Sequence, residues 1–318
     1  MYPVPTILRS YLDVLLSANV WTQKELLRTF KYVNEKQMIQ LMLKIFSSCK
    51  FEVLTHGNMT KKESIALSQR AYAIITGDRL PMDMNQYLML NQYRDVQLIN
   101  GTTEYSLIHD QHENHGFLLY HQVGLVDLTL EAQLELFHQI ISEPYFNQIR
   151  MAEQLAYVTF VKVKFTSCGS LGLLILIQSA YSLQYIESRV DAFLESLEVS
   201  LFDLYYICID WSFSLTCVLY YIFYKLFSTH TYKQEILQTL KQEEFIKEKN
   251  ALITKLSEEP KSLFAMSTKL WWEIISSQYI FDRDKRLISI LKKIELNDII
   301  HLYQVRERKR RKKEKDNS

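Results

Sequence analysis

The hydrophobic and polar positions of this chain repeat with two different periods, which predicts a protein that mixes helices with strands. Apolar residues recur every three or four positions over 130–141, as on the buried face of an amphipathic helix. Over 157–165 the period becomes two, which is typical of a half-buried strand. Residues 171–177 form a continuous apolar run, which favours a strand covered on both faces. The prediction is therefore an α+β fold, a sheet covered by helices on one side.

Local signals extend this prediction along the chain. Reciprocal capping of backbone amides by paired side chains predicts helix starts at Thr22–Glu25, Asn34–Gln37 and Thr60–Glu63. Pro144 predicts the start of a further helix that runs through Arg150 to Gln154. More strands are expected at 51–56, 93–99, 104–109 and 116–123, and more helices at 184–197, 242–256, 261–276 and 284–294. A loop over 76–92 is the candidate boundary between two units.

The composition narrows the class of protein. Apolar residues make up 48% of the 318 positions, so a packed core is expected over most of the length. With only 7 glycines and 5 prolines, the chain does not fit a collagen-like or linker-rich protein, or an all-β protein with many turns. The net charge of +1 provides no overall field toward nucleic acid or membrane, and we expect no nucleic-acid partner.

Two segments depart from the general pattern. Residues 204–227 carry only Asp210 and Lys225 as charges, so they could either span a membrane or form an insert of about 204–240 outside a fold that resumes at Glu243. Residues 306–318 are strongly basic and either bind anionic lipid or RNA, act as a nuclear signal, or form a solvated, disordered tail. We favour the insert and the disordered tail.

The residues that could carry metal chemistry do not form a known pattern. His109, His112 and His115 lie close together, but a helical zinc motif would need a second histidine at position 116, which is Gly116. The inverted HxxEH order is absent too, so we expect this chain to bind no metal. Its four scattered cysteines suit reduced thiols, and the first residues do not resemble a secretory signal, which together favour the cytoplasm.

The most informative stretch is 139–157, and shorter stretches accompany it in the same order. They are 56–60, 93–98, 177–179, 185–190, 272–275 and 278–284. Together they resemble the C-terminal half of the insulin-degrading-enzyme (insulysin) group of the pitrilysin family, which are inverzincin metallopeptidases. The resemblance covers nearly the whole chain except 204–240 and the end after about residue 303.

The resemblance implies two αβ-roll units of the pitrilysin type, with the sheet of each covered by helices. Residues 1–92 would be the C-terminal part of the third family domain, so this unit would be incomplete. Residues 93–305 would be the fourth family domain, carrying the apolar insert and lacking its last strand. Residues 306–318 would be the basic, disordered tail. A fragment or a truncated form without the catalytic half is thus expected.

The resemblance also implies a role in peptide hydrolysis. In the family the N-terminal half holds the zinc and the C-terminal half closes the peptide chamber, so the full-length enzyme needs zinc and this chain would bind none. By motif position Arg150 and Tyr157 would act on the bound peptide, and Phe146 would line the surface beside them. From the residues alone, Arg150 could equally be a surface charge and Tyr157 a packing residue. Ala156 departs from the family, where glycine is usual.

The implied partners are short peptides and an N-terminal catalytic half, with a homo-oligomer and a membrane contact through 204–227 as further options. The alternative function is that of a catalytically inactive relic that binds peptides or is anchored to a membrane.

Overall fold

The computed structural model of the protein describes residues 3–18, 20–47, 51–77, 96, 98, 103–106, 114–166, 169–209 and 242–302. The helices are α1 (Val4–Leu16), α2 (Gln23–Phe30), α3 (Glu35–Ser47), α4 (Lys61–Thr76), α5 (Leu128–Phe146), α6 (Leu183–Ile209), α7 (Gln242–Ser257), α8 (Leu263–Ile275) and α9 (Arg283–Leu291). A π-helical turn, Asn147–Ala152, follows α5, and helical residues also occur at 296–302. The strands are β1 (His115–Leu125), β2 (Val158–Phe165) and β3 (Ser170–Ser179).

The helix starts predicted from capping patterns are confirmed. The Thr22 side chain accepts from the backbone of Glu25 at 3.3 Å, and the Glu25 carboxylate accepts from the backbone of Thr22 at 2.7 Å. Thr60 and Glu63 form the same kind of reciprocal pair at the start of α4, and Asn34 and Gln37 exchange equivalent hydrogen bonds before α3. These caps satisfy backbone amides that the first turn of a helix leaves without partners.

The strands form an antiparallel sheet in the order β1-β3-β2. Residues 171–177 of β3 are all buried, which confirms the prediction of a strand covered on both faces. Leu173, Ile175 and Ile177 belong to the main core, which α5, α6, α7 and α9 complete. Leu174 faces a second, smaller cluster with Leu12 and Leu16 of α1.

The α+β class is thus confirmed, and α1 adds a helix to the second face of the sheet. This is the physical reason for the continuous apolar run in β3, because alternate side chains enter two separate apolar layers. The sequence pattern predicted helices on one face only. The apolar run of 171–177 did predict a second cover for β3, but no local pattern indicated that a helix more than 150 residues away along the chain would supply it.

Two local predictions are wrong. Residues 51–56 form no strand, because the structure gives them no strand partner among the described residues. They contact the region of α8 through side chains instead: the His56 ring lies 2.9 Å from the Ser267 hydroxyl, and Tyr279 donates to Glu52 at 2.6 Å. Pro144 starts no new helix but lies inside α5, where the buried Tyr145 beside it keeps the helix packed on the core.

Other predictions fall outside the described residues. These are most of the 76–92 loop, most of the 93–99 and 104–109 strands, residues 210–240 of the insert, and the 306–318 tail. The domain boundaries stay predictions. In the part of the chain that the structure describes, none of the helices combines the length and the apolar content needed to cross a membrane.

Candidate functional site

The candidate site lies on the connection between α5 and β2. After Phe146 the helix widens into the π-helical turn, and the backbone amide of Glu153 donates to the carbonyl of Gln148 at 2.9 Å. Gln154 then adopts a left-handed conformation with φ 49°, which is uncommon for a residue other than glycine. Tyr157 leads into β2 and donates its backbone amide to Gln178 of β3 at 2.8 Å. A π-helical turn of this kind often marks a functional site.

The inner side of this connection is fixed to the core. Ile149 is fully buried, and Leu155 is nearly so. The Tyr145 hydroxyl lies 2.7 Å from the Thr159 hydroxyl of β2, and burial raises the pKa of Tyr145. The Ser179 hydroxyl donates to the carbonyl of Leu155 at 2.5 Å. The connection is therefore held rigidly on its inner side, while its outer side remains exposed.

The three residues predicted from the family resemblance are all exposed on this connection. Phe146 is 41% exposed and Tyr157 is 60% exposed. The Arg150 guanidinium carbon lies 6.0 Å from the centre of the Phe146 ring, within reach of a cation–π interaction. Arg150 also donates from Nη1 to the carbonyl oxygens of Ala156, at 3.1 Å, and Tyr157. We call Phe146, Arg150 and Tyr157 the exposed cluster.

The exposed cluster keeps hydrogen-bonding capacity for a ligand. Arg150 uses Nη1 on the backbone of its own turn, while its other guanidinium nitrogens make no hydrogen bond to the described residues. The Tyr157 hydroxyl likewise has no partner among the described residues. A guanidinium donates to carbonyl oxygens, a phenol can donate to an oxyanion, and an aromatic ring adds apolar contact area.

The sequence prediction missed a second set of residues on the same connection and on α6. The Glu153 carboxylate accepts two hydrogen bonds from Arg189 of α6, at 2.9 Å from Nε and 2.6 Å from Nη2. Gln148 donates to the same carboxylate at 3.0 Å. Burial raises the pKa of Glu153, but the hydrogen bonds from Arg189 and Gln148 outweigh it and hold that pKa below its ordinary value. These residues lie inside the stretches that carry the family resemblance, but their pairing across 36 positions leaves no local signal.

The comparisons with known proteins agree with the sequence resemblance. Residues 136–205 match the family model described as PQQ synthase PqqF-like, C-terminal lobe domain 4. The chain is 32% identical to insulin-degrading enzyme of Homo sapiens, over 92% of this chain and 25% of that protein. The chain is a homologue of insulin-degrading enzyme.

Two more distant proteins match over a similar extent of the chain. The A-factor-processing enzyme of Saccharomyces cerevisiae is 23% identical over 96% of this chain and 26% of its own length. The crystal structure of pitrilysin superposes with a TM-score of 0.61 at 18% identity, over 92% of this chain and 27% of pitrilysin, which supports the fold. The chain thus spans about a quarter of the length of the curated relatives it matches.

The relatives are zinc proteases, and one of them, from Caenorhabditis elegans, is named as a putative zinc protease. Among the residues that the structure describes, no group of three or more histidine, cysteine, aspartate or glutamate side chains could hold a metal ion. His109 and His112 lie outside the described residues, so the expectation for the histidine stretch stays a prediction.

Proposed function

We propose that this chain is the non-zinc-binding, C-terminal half of a zinc metalloendopeptidase similar to insulin-degrading enzyme. It closes the peptide chamber and positions a short peptide for hydrolysis by a separate, zinc-bearing half. The observation that carries the proposal is the exposed cluster, in which Phe146, Arg150 and Tyr157 share one rigid turn. The cytoplasm, where scattered cysteines stay reduced, is the compartment we assign to it.

Each member of the exposed cluster has a distinct task in this proposal. Phe146 contacts an apolar side chain of the peptide, and Arg150 donates from its unused guanidinium nitrogens to the peptide backbone. Tyr157 donates its hydroxyl to the oxygen that becomes negative when water attacks the peptide carbonyl. The zinc half supplies the metal that activates the attacking water. None of these three side chains has to bind the metal.

The proposal is tested by mixing the purified chain with the separately expressed N-terminal half of human insulin-degrading enzyme. The substrate is a short peptide with a fluorophore at one end and a quencher at the other. We expect turnover to rise above that of the N-terminal half alone. The Tyr157→Phe variant should lower kcat by at least about tenfold, because it removes a hydrogen bond to the transition state.

Arg150→Ala should mainly raise KM, because Arg150 contacts the bound peptide backbone. Arg9 and Tyr32 provide matched controls: Arg9 also donates to a backbone carbonyl, and Tyr32 is 80% exposed far from the turn in sequence. Arg9→Ala and Tyr32→Phe should leave turnover unchanged. If mixing gives no gain, or if the gain survives both Arg150→Ala and Tyr157→Phe, the proposal is wrong and the relic interpretation gains support.

A further inference from the structure

The connection that carries the exposed cluster is held from two directions. On one side it is tied to β3, through the hydroxyl of Ser179 and the carbonyl of Gln178. On the other side it is tied to α6 by the two hydrogen bonds between Glu153 and Arg189. Arg189 has a fixed base, since its neighbours Ile186 and Val190 are fully buried. The guanidinium of Arg189 therefore holds Glu153 at a defined distance from the core.

Glu153 lies at the end of the π-helical turn, between Arg150 and Tyr157. It caps the π-helical turn and immediately precedes Gln154, whose left-handed conformation is held only if the surroundings hold it. Arg150 lies three residues before Glu153, and Tyr157 lies four residues after it. We therefore expect a change in the backbone at Glu153 to move the guanidinium of Arg150 relative to the hydroxyl of Tyr157.

We propose that Glu153 and Arg189 are positioning residues of the peptide site, which fix the separation and orientation of Arg150 and Tyr157 without contacting the peptide. This inference rests on the proposed function of the exposed cluster. Glu153 is 17% and Arg189 34% exposed, so water screens the ion pair in part, and we expect the fold to persist without it. Its loss leaves the chain folded but lets the turn sample other conformations.

The expected behaviour differs from that of an ordinary structural pair. Partial unfolding lowers the amount of active protein, so apparent kcat falls while KM is unchanged. Misplacement of Arg150 weakens peptide binding and misplacement of Tyr157 weakens transition-state stabilisation, so KM rises while kcat falls. The two kinetic parameters therefore separate a positioning role from a stabilising one.

The experiment uses the full chain with saturating N-terminal half and the same quenched peptide. Glu153→Gln and Arg189→Gln should each raise KM and lower kcat, with a loss of about tenfold in kcat/KM. The double variant should lose no more than either single variant, because both changes break the same contact. The urea midpoint of each variant should stay close to that of the unchanged chain. Arg189→Lys keeps the charge but cannot donate two parallel hydrogen bonds to the carboxylate, so it should show an intermediate loss in kcat/KM.

Asp282→Asn is the matched control, because Asp282 forms an exposed ion pair with Arg286 at 2.8 Å. It should change neither KM nor kcat. If Glu153→Gln behaves like this control, or alters only apparent kcat, while Arg150→Ala and Tyr157→Phe still impair turnover, the positioning role is wrong and the proposed function stands. If Arg150→Ala and Tyr157→Phe have no effect, the proposed function itself fails.

Discussion

Two of the ionic contacts in the described part of the chain lie in very different surroundings. In the first contact, Glu153 and Arg189 are partly exposed to water. The second contact is a buried cluster in which Arg283 of α9 lies between Glu131 of α5 and Glu273 of α8, with side chains between 4% and 9% exposed. The first contact ties a surface turn to one helix, whereas the second joins three helices within the fold.

The buried cluster places two carboxylates on one guanidinium. Arg283 donates from Nη1 to Glu131 at 2.6 Å, and from Nε and Nη2 to Glu273 at 2.5 and 3.0 Å. Its guanidinium carbon also lies 5.3 Å from the centre of a Trp272 ring. The formal sum of the three charges is negative when both acids are ionised. The low-polarity surroundings therefore oppose the second negative charge.

The pKa values respond to the two surroundings in opposite directions. Burial raises the pKa of Glu131 to about 7, against the opposing effect of Arg283. At Glu153 the hydrogen bonds from Arg189 and Gln148 outweigh burial and lower the pKa. The comparison shows that pairing with an arginine alone does not decide the charge state of a carboxylate. Water access and the number of acids that share the arginine decide it as well.

The largest expected effect comes from removing the centre of the buried cluster. Arg283→Met keeps much of the side-chain volume but leaves Glu131 and Glu273 buried without their partner. Breaking a buried ionic contact in this way costs about 3–5 kcal/mol in the free energy of unfolding. Urea denaturation near pH 7, followed by circular dichroism, measures the difference.

Arg286→Met is the matched control for this variant. Arg286 contacts the exposed Asp282, with side chains 55% and 52% exposed. An exposed pair of this kind contributes at most about 1 kcal/mol, so the control should unfold near the midpoint of the unchanged chain. Equal losses for the two variants would contradict the contrast between buried and exposed contacts.

The next effect is a dependence of stability on pH that Glu131 introduces. Its pKa is about 7 in the folded chain and near the ordinary value of 4.5 in the unfolded chain, so the folded chain binds the extra proton between these values. The free energy of unfolding should therefore fall as the pH rises from 4.5 to 7, by about 3 kcal/mol from this residue. Glu131→Gln should remove this slope, as measured by urea denaturation across the range.

The exposed Glu195 of α6 supplies the control for the pH series. Glu195→Gln should leave the slope of stability against pH intact. A slope that persists unchanged in Glu131→Gln would show that another group takes up the proton, and the assignment of the raised pKa to Glu131 would be wrong.

The two contacts also show how far the sequence could predict this structure. Local periodicity and capping were sufficient for α5, β2, β3 and the starts of α2 and α4, because each depends on residues a few positions apart. The contact between Glu131 and Arg283 spans 152 positions, and no local pattern predicts it. The prediction of a strand at 51–56 was wrong for the same reason, because a strand also needs a partner strand that its own residues cannot specify.

The candidate site, too, has features that the sequence could predict and features that depend on the fold. The family resemblance led to Phe146, Arg150 and Tyr157 because their motif is contiguous in the sequence. The hydrogen bonds from Arg150 to the backbone of its own turn depend on the π-helical turn and the left-handed Gln154, which periodicity does not predict. Arg189 belongs to the site only through its contact with Glu153, which lies 36 positions away and has no local pattern.

The smallest effect concerns the stability contribution of Glu153, and its pH dependence should have the opposite sign. Because its pKa is lowered in the folded chain, Glu153 stabilises the fold above the ordinary carboxyl pKa, and that contribution disappears as the pH falls through the folded value. Glu153→Gln should therefore cost less than about 1 kcal/mol near pH 7, since its partner is one-third exposed, and the difference should vanish in acid. Urea denaturation at neutral and acidic pH measures both, with the exposed Glu187→Gln as the control. A loss as large as that of Arg283→Met would mean that the turn is part of the cooperative core, and the low stability effect expected of a positioning pair would be wrong.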